Sequence, residues 1–369
     1  MYTWGNDKYQ RYNVLGNVKT KVTKWLNFDF STKYAKTKTD YPNGGVWTDR
    51  SGYWMHYIIL FPNTHRFNQD GTLANPIEVA MRNGGRIKAD NNTAQFSLGT
   101  EIEPVKGWTT TIRYNYLLSS GLNTNDLYPV DVQCANGNVS NIGAPQTAIF
   151  ETLQLGHYEV FTAYSRYVKS FGNHNFSVMA GYEQDYFHNR KLTGKGYHLI
   201  TKEVNAISAA LGTKEVDDVI YHWATQGIFG RINYNFSEKY LLEFSARYDG
   251  SSRFEKGQRW GFFPSASIGY NISREAFWEP VQPYVQRLKI RASYGTLGNQ
   301  NLVKAAERQN ISQAWIDVEN PNAETYLYLN EVPVTPLLPR IIDGVRPNYA
   351  SIPGIKPDYL TWETILTSN

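Results

Sequence analysis

Cysteine occurs once in 369 residues, at Cys134, which excludes an intrachain disulfide framework, and no Cys/His cluster has the spacing of a zinc site. No apolar run approaches the ~20 residues that a transmembrane helix needs. Charge is sparse: 19% of residues are charged, against about 25% in a typical domain. The net charge of +4 is spread along the chain, so no concentrated basic field supports a nucleic-acid partner. The opening Met1-Tyr2-Thr3-Trp4-Gly5-Asn6-Asp7-Lys8 lacks the basic-then-apolar pattern of a signal peptide, which taken alone points to the cytosol. What the chain has instead is rings. Tyr, Phe and Trp make up 15% of it, enough apolar surface to offset chain entropy and to argue against disorder. The length suits two soluble domains or one large β architecture.

Helical periodicity is nearly absent, and period-two alternation recurs in its place. Tyr12, Val14, Gly16, Val18 and Val22 share one face, and after Thr23-Lys24-Trp25 the pattern resumes with Leu26, Phe28, Phe30, Thr32 and Tyr34. A second hairpin runs Ala94, Phe96, Leu98, Ile102, turns at Glu103-Pro104-Val105-Lys106, and returns through Trp108, Thr110, Ile112, Tyr114 and Tyr116. A third sets Tyr158, Val160, Thr162 and Tyr164 on one face, turns near Gly172-Asn173, and continues with Phe176, Val178, Ala180 and Tyr182. The fourth is the clearest: Ile228, Gly230, Ile232, Tyr234 and Phe236 lead through Ser237-Glu238-Lys239 into Leu242, Phe244, Ala246 and Tyr248. A fifth pair joins 260–272 to 288–294 through a connection with helical character. Roughly ten strands result, each about ten residues long.

Connections alternate between short turns and long stretches, at about 39–93, 120–156 and 190–225. Loops longer than ~12–15 residues are uncommon in compact soluble domains, whereas transmembrane β-barrels pair short periplasmic turns with long outer loops. Trp25, Trp108, Tyr116, Phe236, Tyr240, Tyr248 and Trp260 fall at strand ends, where an interfacial girdle belongs. The pattern therefore predicts an all-β, antiparallel transmembrane barrel. Its apolar face would carry Ile232, Tyr234, Phe244, Tyr248, Phe262, Ile268, Ile290 and Tyr294. Arg113, Arg231, Glu243, Arg247, Lys289 and Arg291 would face the lumen or whatever fills it.

Candidate chemistry is thin. The long loops offer Trp47, Tyr53, Trp54, His56 and Tyr57, then Trp223, then Trp315, Tyr326 and Tyr328. These rings either line a ligand mouth, with Trp47, Trp54, Tyr57, Trp223 and Trp315 as the candidates, or pack the loops on one another or on a lid. Asn123, Asn125, Asp126 and Asp131 carry the oxygen atoms calcium takes, without a full calcium-loop pattern. Solvated loop residues are the simpler reading, and no cofactor is expected. Glu243, Asp249, Glu255 and Glu275 could pair for glycoside hydrolysis, but alternation and turns already account for their spacing. The seven histidines are scattered without a triad partner, and Gly44-Gly45 and Gly84-Gly85 lack the helix a phosphate loop needs. Cys134 has no activating neighbour. The chain does not read as an enzyme.

Three blocks carry a resemblance. Arg231-Ile232-Asn233-Tyr234-Asn235-Phe236-Ser237-Glu238-Lys239-Tyr240, running on to Tyr248-Asp249-Gly250-Ser251-Ser252-Arg253-Phe254, resembles a strand–turn–strand of TonB-dependent outer-membrane receptors of the SusC type. Arg259-Trp260-Gly261-Phe262-Phe263-Pro264-Ser265-Ala266 and Leu288-Lys289-Ile290-Arg291-Ala292-Ser293-Tyr294-Gly295 follow in the family's order. Arg11-Tyr12-Asn13-Val14 with Val22-Thr23-Lys24-Trp25-Leu26, and Leu360-Thr361-Trp362-Glu363-Thr364, extend the likeness over nearly the whole chain. The resemblance implies part of a 22-stranded barrel in the outer membrane. It further implies uptake of oligosaccharide or peptide with a SusD-type surface lipoprotein, energised by TonB-ExbB-ExbD through an N-terminal region that this sequence lacks. Residues 1–369 are thus expected to be a partial barrel without plug or final strands, which also explains the missing signal peptide. Two other readings stay open on the residues alone: a passive porin or adhesin barrel, and a soluble extracellular glycan-binding β-sandwich.

Overall fold

A computed structural model describes residues 7–43, 66–133, 137–141, 144–300, 334–335, 349–350 and 361–368. The first strands are β1 (Lys8–Lys21), β2 (Leu26–Pro42), β3 (Arg86–Val105) and β4 (Trp108–Leu127), followed by the short pair β5 (Asp131–Gln133) and β6 (Val139–Asn141). Then come β7 (Ala148–Phe171), β8 (His174–Tyr197), β9 (Lys214–Phe236), β10 (Tyr240–Ser251), β11 (Trp260–Asn271) and β12 (Lys289–Asn299). A second short pair, β13 (Val334–Thr335) and β14 (Tyr349–Ala350), precedes β15 (Glu363–Ser368). Eleven strands form one antiparallel sheet in the order β1-β2-β3-β4-β7-β8-β9-β10-β11-β12-β15. Each joins the next main strand in sequence, so the wall is a simple meander with β1 and β15 at its edges.

Turn chemistry fixes the hairpins. Gly107 and Gly172 take positive φ in the two-residue turns β3–β4 and β7–β8. At β9–β10, Ser237 and Glu238 both adopt left-handed backbone, and the Asn235 side-chain oxygen accepts the Glu238 N–H at 2.7 Å, a local bond that offsets the strain. Pro104 has no N–H to give the ladder and falls where the β3–β4 register slips between Ile102 and Val105. The fifth connection holds two short 3₁₀ turns, at Ile272–Arg274 and Ala276–Trp278.

Two expectations are corrected. The strands of the larger hairpins are not ten residues long: β2 has 17, β3 and β4 have 20, β7 and β8 have 24, and β9 has 23. Backbone pairing continues far into segments read as loop, because in stretches such as 86–92 and 214–218 the parity that is apolar within the band turns largely polar, which ends the expected alternation without ending the ladder. The face of β7 is also reversed. Phe161, Ala163 and Tyr167 stand opposite Tyr114, Tyr182 and Val178, so Tyr158, Val160 and Thr162 occupy the polar side. Apolar residues sit at both parities of β7, and only its neighbours' register decides.

On the apolar side the expected residues come together: Phe244 faces Ile232, Leu242 faces Tyr234 and Ile268, Phe262 faces Tyr248, and Ile290 faces Tyr270. They stay solvent-accessible, Ile232 at 49% and Phe262 at 60%. Rings bound this band at both ends, with Tyr240 stacked on Tyr270 at 5.1 Å at the short-turn end and Tyr248 on Trp260 at 4.9 Å at the other. Packed core occurs instead at the long-connection end, where Tyr128, Ile149, Leu199 and Ala210 form one cluster and Val79, Val130 and Val132 another. The second seats helix α1 (Pro76–Asn83), capped by the Asn75 side chain on the N–H groups of Ile77 and Glu78. Glu78 is buried and bonded by Arg66 (2.8 Å) and Arg82 (2.7 Å).

Two tests follow from this packing. Gly230, on the apolar side, has only ordinary contact where a Cβ would project (Met179 O at 3.6 Å), whereas a Cβ at Gly227 would overlap the Asp249 carboxylate. Thermal unfolding of the barrel in detergent should therefore leave Gly230→Ala unchanged or up to about 1 kcal/mol more stable and lower Gly227→Ala by about 1–3 kcal/mol. The hydrogen bond from Arg66 holds the Glu78 carboxyl below its usual range, against the opposing effect of burial and with help from Arg82. A depressed carboxylate contributes stability above its unfolded value of about 4.3 and loses it as pH falls through the folded value. Limited proteolysis of the 66–85 segment should be slow at pH 7 and become fast only once the pH falls below the ordinary glutamate range, and in Glu78→Gln it should be fast throughout.

Candidate ligand-facing wall

Residues directly opposite in a β-ladder share a face, so register alone assembles the polar side. One register line runs from Lys19 on β1 to Asp29 on β2, Gly99 on β3 and Arg113 on β4. It continues through Thr162 on β7, Glu183 on β8, Gly227 on β9 and Asp249 on β10. Glycines stand beside both aspartates of this line, and a Cβ at Gly99 would overlap the Asp29 carboxylate as one at Gly227 would that of Asp249. Each carboxylate therefore lies flat across a neighbouring strand. Asp29 reaches Arg113 at 3.6 Å over Gly99. Arg247 bonds Glu183 at 3.3 Å and Asp249 at 3.0 Å, with its guanidinium carbon 5.3 Å from the Phe229 ring centre.

All six polar-face residues expected from alternation lie on this side. Arg231 approaches Glu243 diagonally at 3.9 Å. Lys289 and Arg291 sit opposite Asn271 and Gly269 near the short-turn end. The six do not form one cluster; they divide into the Asp29–Arg113 pair, the Arg231–Glu243 pair, the group around Arg247, and the β12 cations. Partly exposed pairs of this kind add only about 0–1 kcal/mol each, so they set the charge of the surface more than its stability.

Trp223 is not a loop residue. It lies in β9 on the polar side, 5.7 Å from Phe187 and 6.0 Å from Tyr158, with Tyr221 5.7 Å from Phe187. Arg253 lies over the Trp223 ring at 4.7 Å. Next to this aromatic group, Asp185 accepts a hydrogen bond from Thr225 Oγ1 at 3.0 Å. A cleft of about 180 Å³ opens there between Asp185, Glu183, Thr225 and Arg247, closed on its far side by Gln300 and Trp362. Gln300 Oε1 is buried, with no hydrogen-bond partner among the described residues. Sequence reasoning missed Tyr158, Phe187 and Asp185. The signal was the Tyr158–Phe187–Trp223 line, legible only once the β7 register is known.

The other candidates separate. Trp47, Tyr53, Trp54, His56, Tyr57, Trp315, Tyr326, Tyr328 and Cys134 lie outside the described residues. Asn123, Asn125 and Asp126 belong to β4 and Asp131 to β5, not to an open loop. Asn125 accepts from Asn43, Asp126 from Asn205 at 2.7 Å, and Asp131 from Asn141 at 3.1 Å. Three of the four thus accept from side-chain amides, and among the described residues no group of three or more His, Cys, Asp or Glu could hold a metal ion.

Known proteins give this geometry its context. Residues 4–322 match the family described as TonB dependent receptor-like, beta-barrel. TonB-dependent receptor P3 of Formosa agariphila is 26% identical over 311 residues, which is 80% of this chain and 30% of the relative. TonB-dependent receptor SusC of Bacteroides thetaiotaomicron is 35% identical over 147 residues, 38% of this chain and 14% of the relative. Among solved structures, the RagAB peptide transporter superposes with a TM-score of 0.72 at 18% identity, covering 98% of this chain and 38% of that one. The chain thus spans well under half the length of each of these relatives. An eleven-strand meander with one apolar and one polar face, matched over most of its length, belongs to the TonB-dependent receptor β-barrel family of the outer membrane and is SusC/RagA-like.

Proposed function

We propose that this chain is a stretch of barrel wall in an outer-membrane importer that takes up oligosaccharides. A plug and further strands, encoded outside residues 1–369, would complete it. In this reading the apolar side meets lipid and the polar side, carrying Arg113, Arg231, Glu243, Arg247, Lys289 and Arg291, lines the lumen. A SusD-type surface lipoprotein closes the long-connection end, and TonB-ExbB-ExbD supplies energy from the inner membrane.

The observation that carries the substrate class is the inward group of Tyr158, Phe187 and Trp223 beside Asp185 and Glu183. Rings stack on the apolar faces of sugars while carboxylates accept their hydroxyls. Peptide is the second reading, favoured by the Arg247 pair with Glu183 and Asp249, which suits backbone amides and charged termini. The RagAB structures are of a peptide transporter, in keeping with that alternative.

Two measurements test the proposal in the whole receptor. Ile232→Arg should impair outer-membrane assembly far more than Asn233→Arg, given a midplane penalty of roughly 2–4 kcal/mol for an arginine facing lipid; equal assembly would remove the assignment of faces. Trp223→Ala and Asp185→Asn should each weaken binding of the imported ligand by about tenfold, measured by calorimetry against a panel of oligosaccharides and peptides. Unchanged affinity across that panel would remove the site, and loss confined to peptides would select the second reading.

A further inference from the structure

The apolar band ends at Tyr12 and Tyr34 on β1 and β2, and directly beyond it, on the same outward side, the chemistry turns cationic. Lys8, Asp40 and Lys88 face one another across β1, β2 and β3, and the next line holds Gln10, Lys38, Asp90 and, on β4, Leu122. Lys36 joins them one step nearer the band, where the Tyr34 hydroxyl donates to Asn92 at 2.8 Å. Asp90 is shared by Lys36 (3.1 Å) and Lys38 (3.5 Å), and Asp40 is taken by Arg86 at 2.7 Å. Five cations meet two carboxylates on these lines, with a third, buried Asp126, also within electrostatic reach of Lys88; Lys8 and Lys88 form no direct ion pair among the described residues. Glu151 sits beyond Thr124 on the same line, two strands from Lys88. Between these side chains lies a cleft of about 310 Å³, with Leu122, 47% exposed, at its edge.

Like charges are not gathered on one side of a wall to stabilise it, since mutual repulsion opposes folding. Their place matters: outward, from the register line of Tyr12 to two steps past it, at the depth of lipid headgroups rather than of the lumen or the solvent above. We propose that Lys8, Lys36, Lys38 and Lys88 bind the phosphorylated headgroup of an outer-leaflet glycolipid, with Leu122 against its apolar portion. Ammonium groups suit phosphate as compact point charges with several donors each. A cleft with largely apolar walls, rimmed by the ammonium groups of Lys8, Lys38 and Lys88, suits an amphiphile better than a free anion. The proposal rests on assigning the apolar side to lipid, but the cluster could fail to bind while the wall still inserts, so the two claims separate.

The test uses the purified whole receptor in detergent, with native mass spectrometry reading bound lipid. Bisphosphorylated lipid A should bind, and its dephosphorylated counterpart about tenfold more weakly or worse. Inorganic phosphate at millimolar concentration should not displace it. Lys36→Gln/Lys38→Gln/Lys88→Gln should lose the lipid, while Lys256→Gln, in the β10–β11 connection, should keep it. Equal binding of the two lipids to the unaltered receptor would overturn the proposal whether or not the triple variant assembles. So would retention of lipid by an assembled triple variant, displacement by inorganic phosphate, or a triple variant that keeps the lipid but loses an acidic partner protein.

Discussion

A strand that crosses hydrocarbon must bond every backbone N–H and C=O to its neighbours, because no water is there to take them. That constraint accounts for the meander, in which each strand of the main sheet pairs with the next main strand in the chain. It also forces side chains to alternate between two solvents. Everything chemical about the molecule follows from which solvent a given parity meets: Ile228, Ile232 and Tyr234 on one side of β9, Phe229, Arg231 and Asn233 on the other.

The two sides are built for different ends. The apolar side has little packed core and is finished by stacked rings at both margins. The polar side carries paired charges whose contribution to stability is small, laid across Gly99 and Gly227 so that the surface stays low and open. Above the band the ladder continues without alternation, and there the chain packs like an ordinary soluble protein, around Ile149 and around α1. The wall thus passes from a membrane element to a rigid raised rim within single strands of 20–24 residues.

Much of this was legible from residue order. The β9–β10 hairpin with its turn at 237–239, the Gly172-Asn173 turn, and the faces of Arg231, Glu243, Arg247, Lys289 and Arg291 all follow from strict alternation beside turn residues. The face of β7 did not, because Val160 and Phe161 are both apolar and parity alone cannot choose between them. Strand length did not either, since the alternation that marks a strand exists only where two solvents differ, and in segments such as 188–197 and 214–222 neither parity is consistently apolar. The aromatic group at Trp223 was hidden for both reasons: it needed the register of β7 and the extension of β9. The role of Gly227 needed the partner strand, as a glycine's purpose lies in what occupies the space it leaves.

The central claim is that one parity of these strands meets lipid and the other a water-filled passage. The most direct measurement is a cysteine scan of positions 228–236 in the membrane-embedded receptor with Cys134 removed, each site labelled with a fluorophore. Quenching is then compared between a lipid-dissolved and a water-soluble quencher. The account predicts a period of two, with even positions reached from lipid and odd positions from water. Uniform quenching from water along the whole segment, or protection of the even positions from both quenchers, would contradict it.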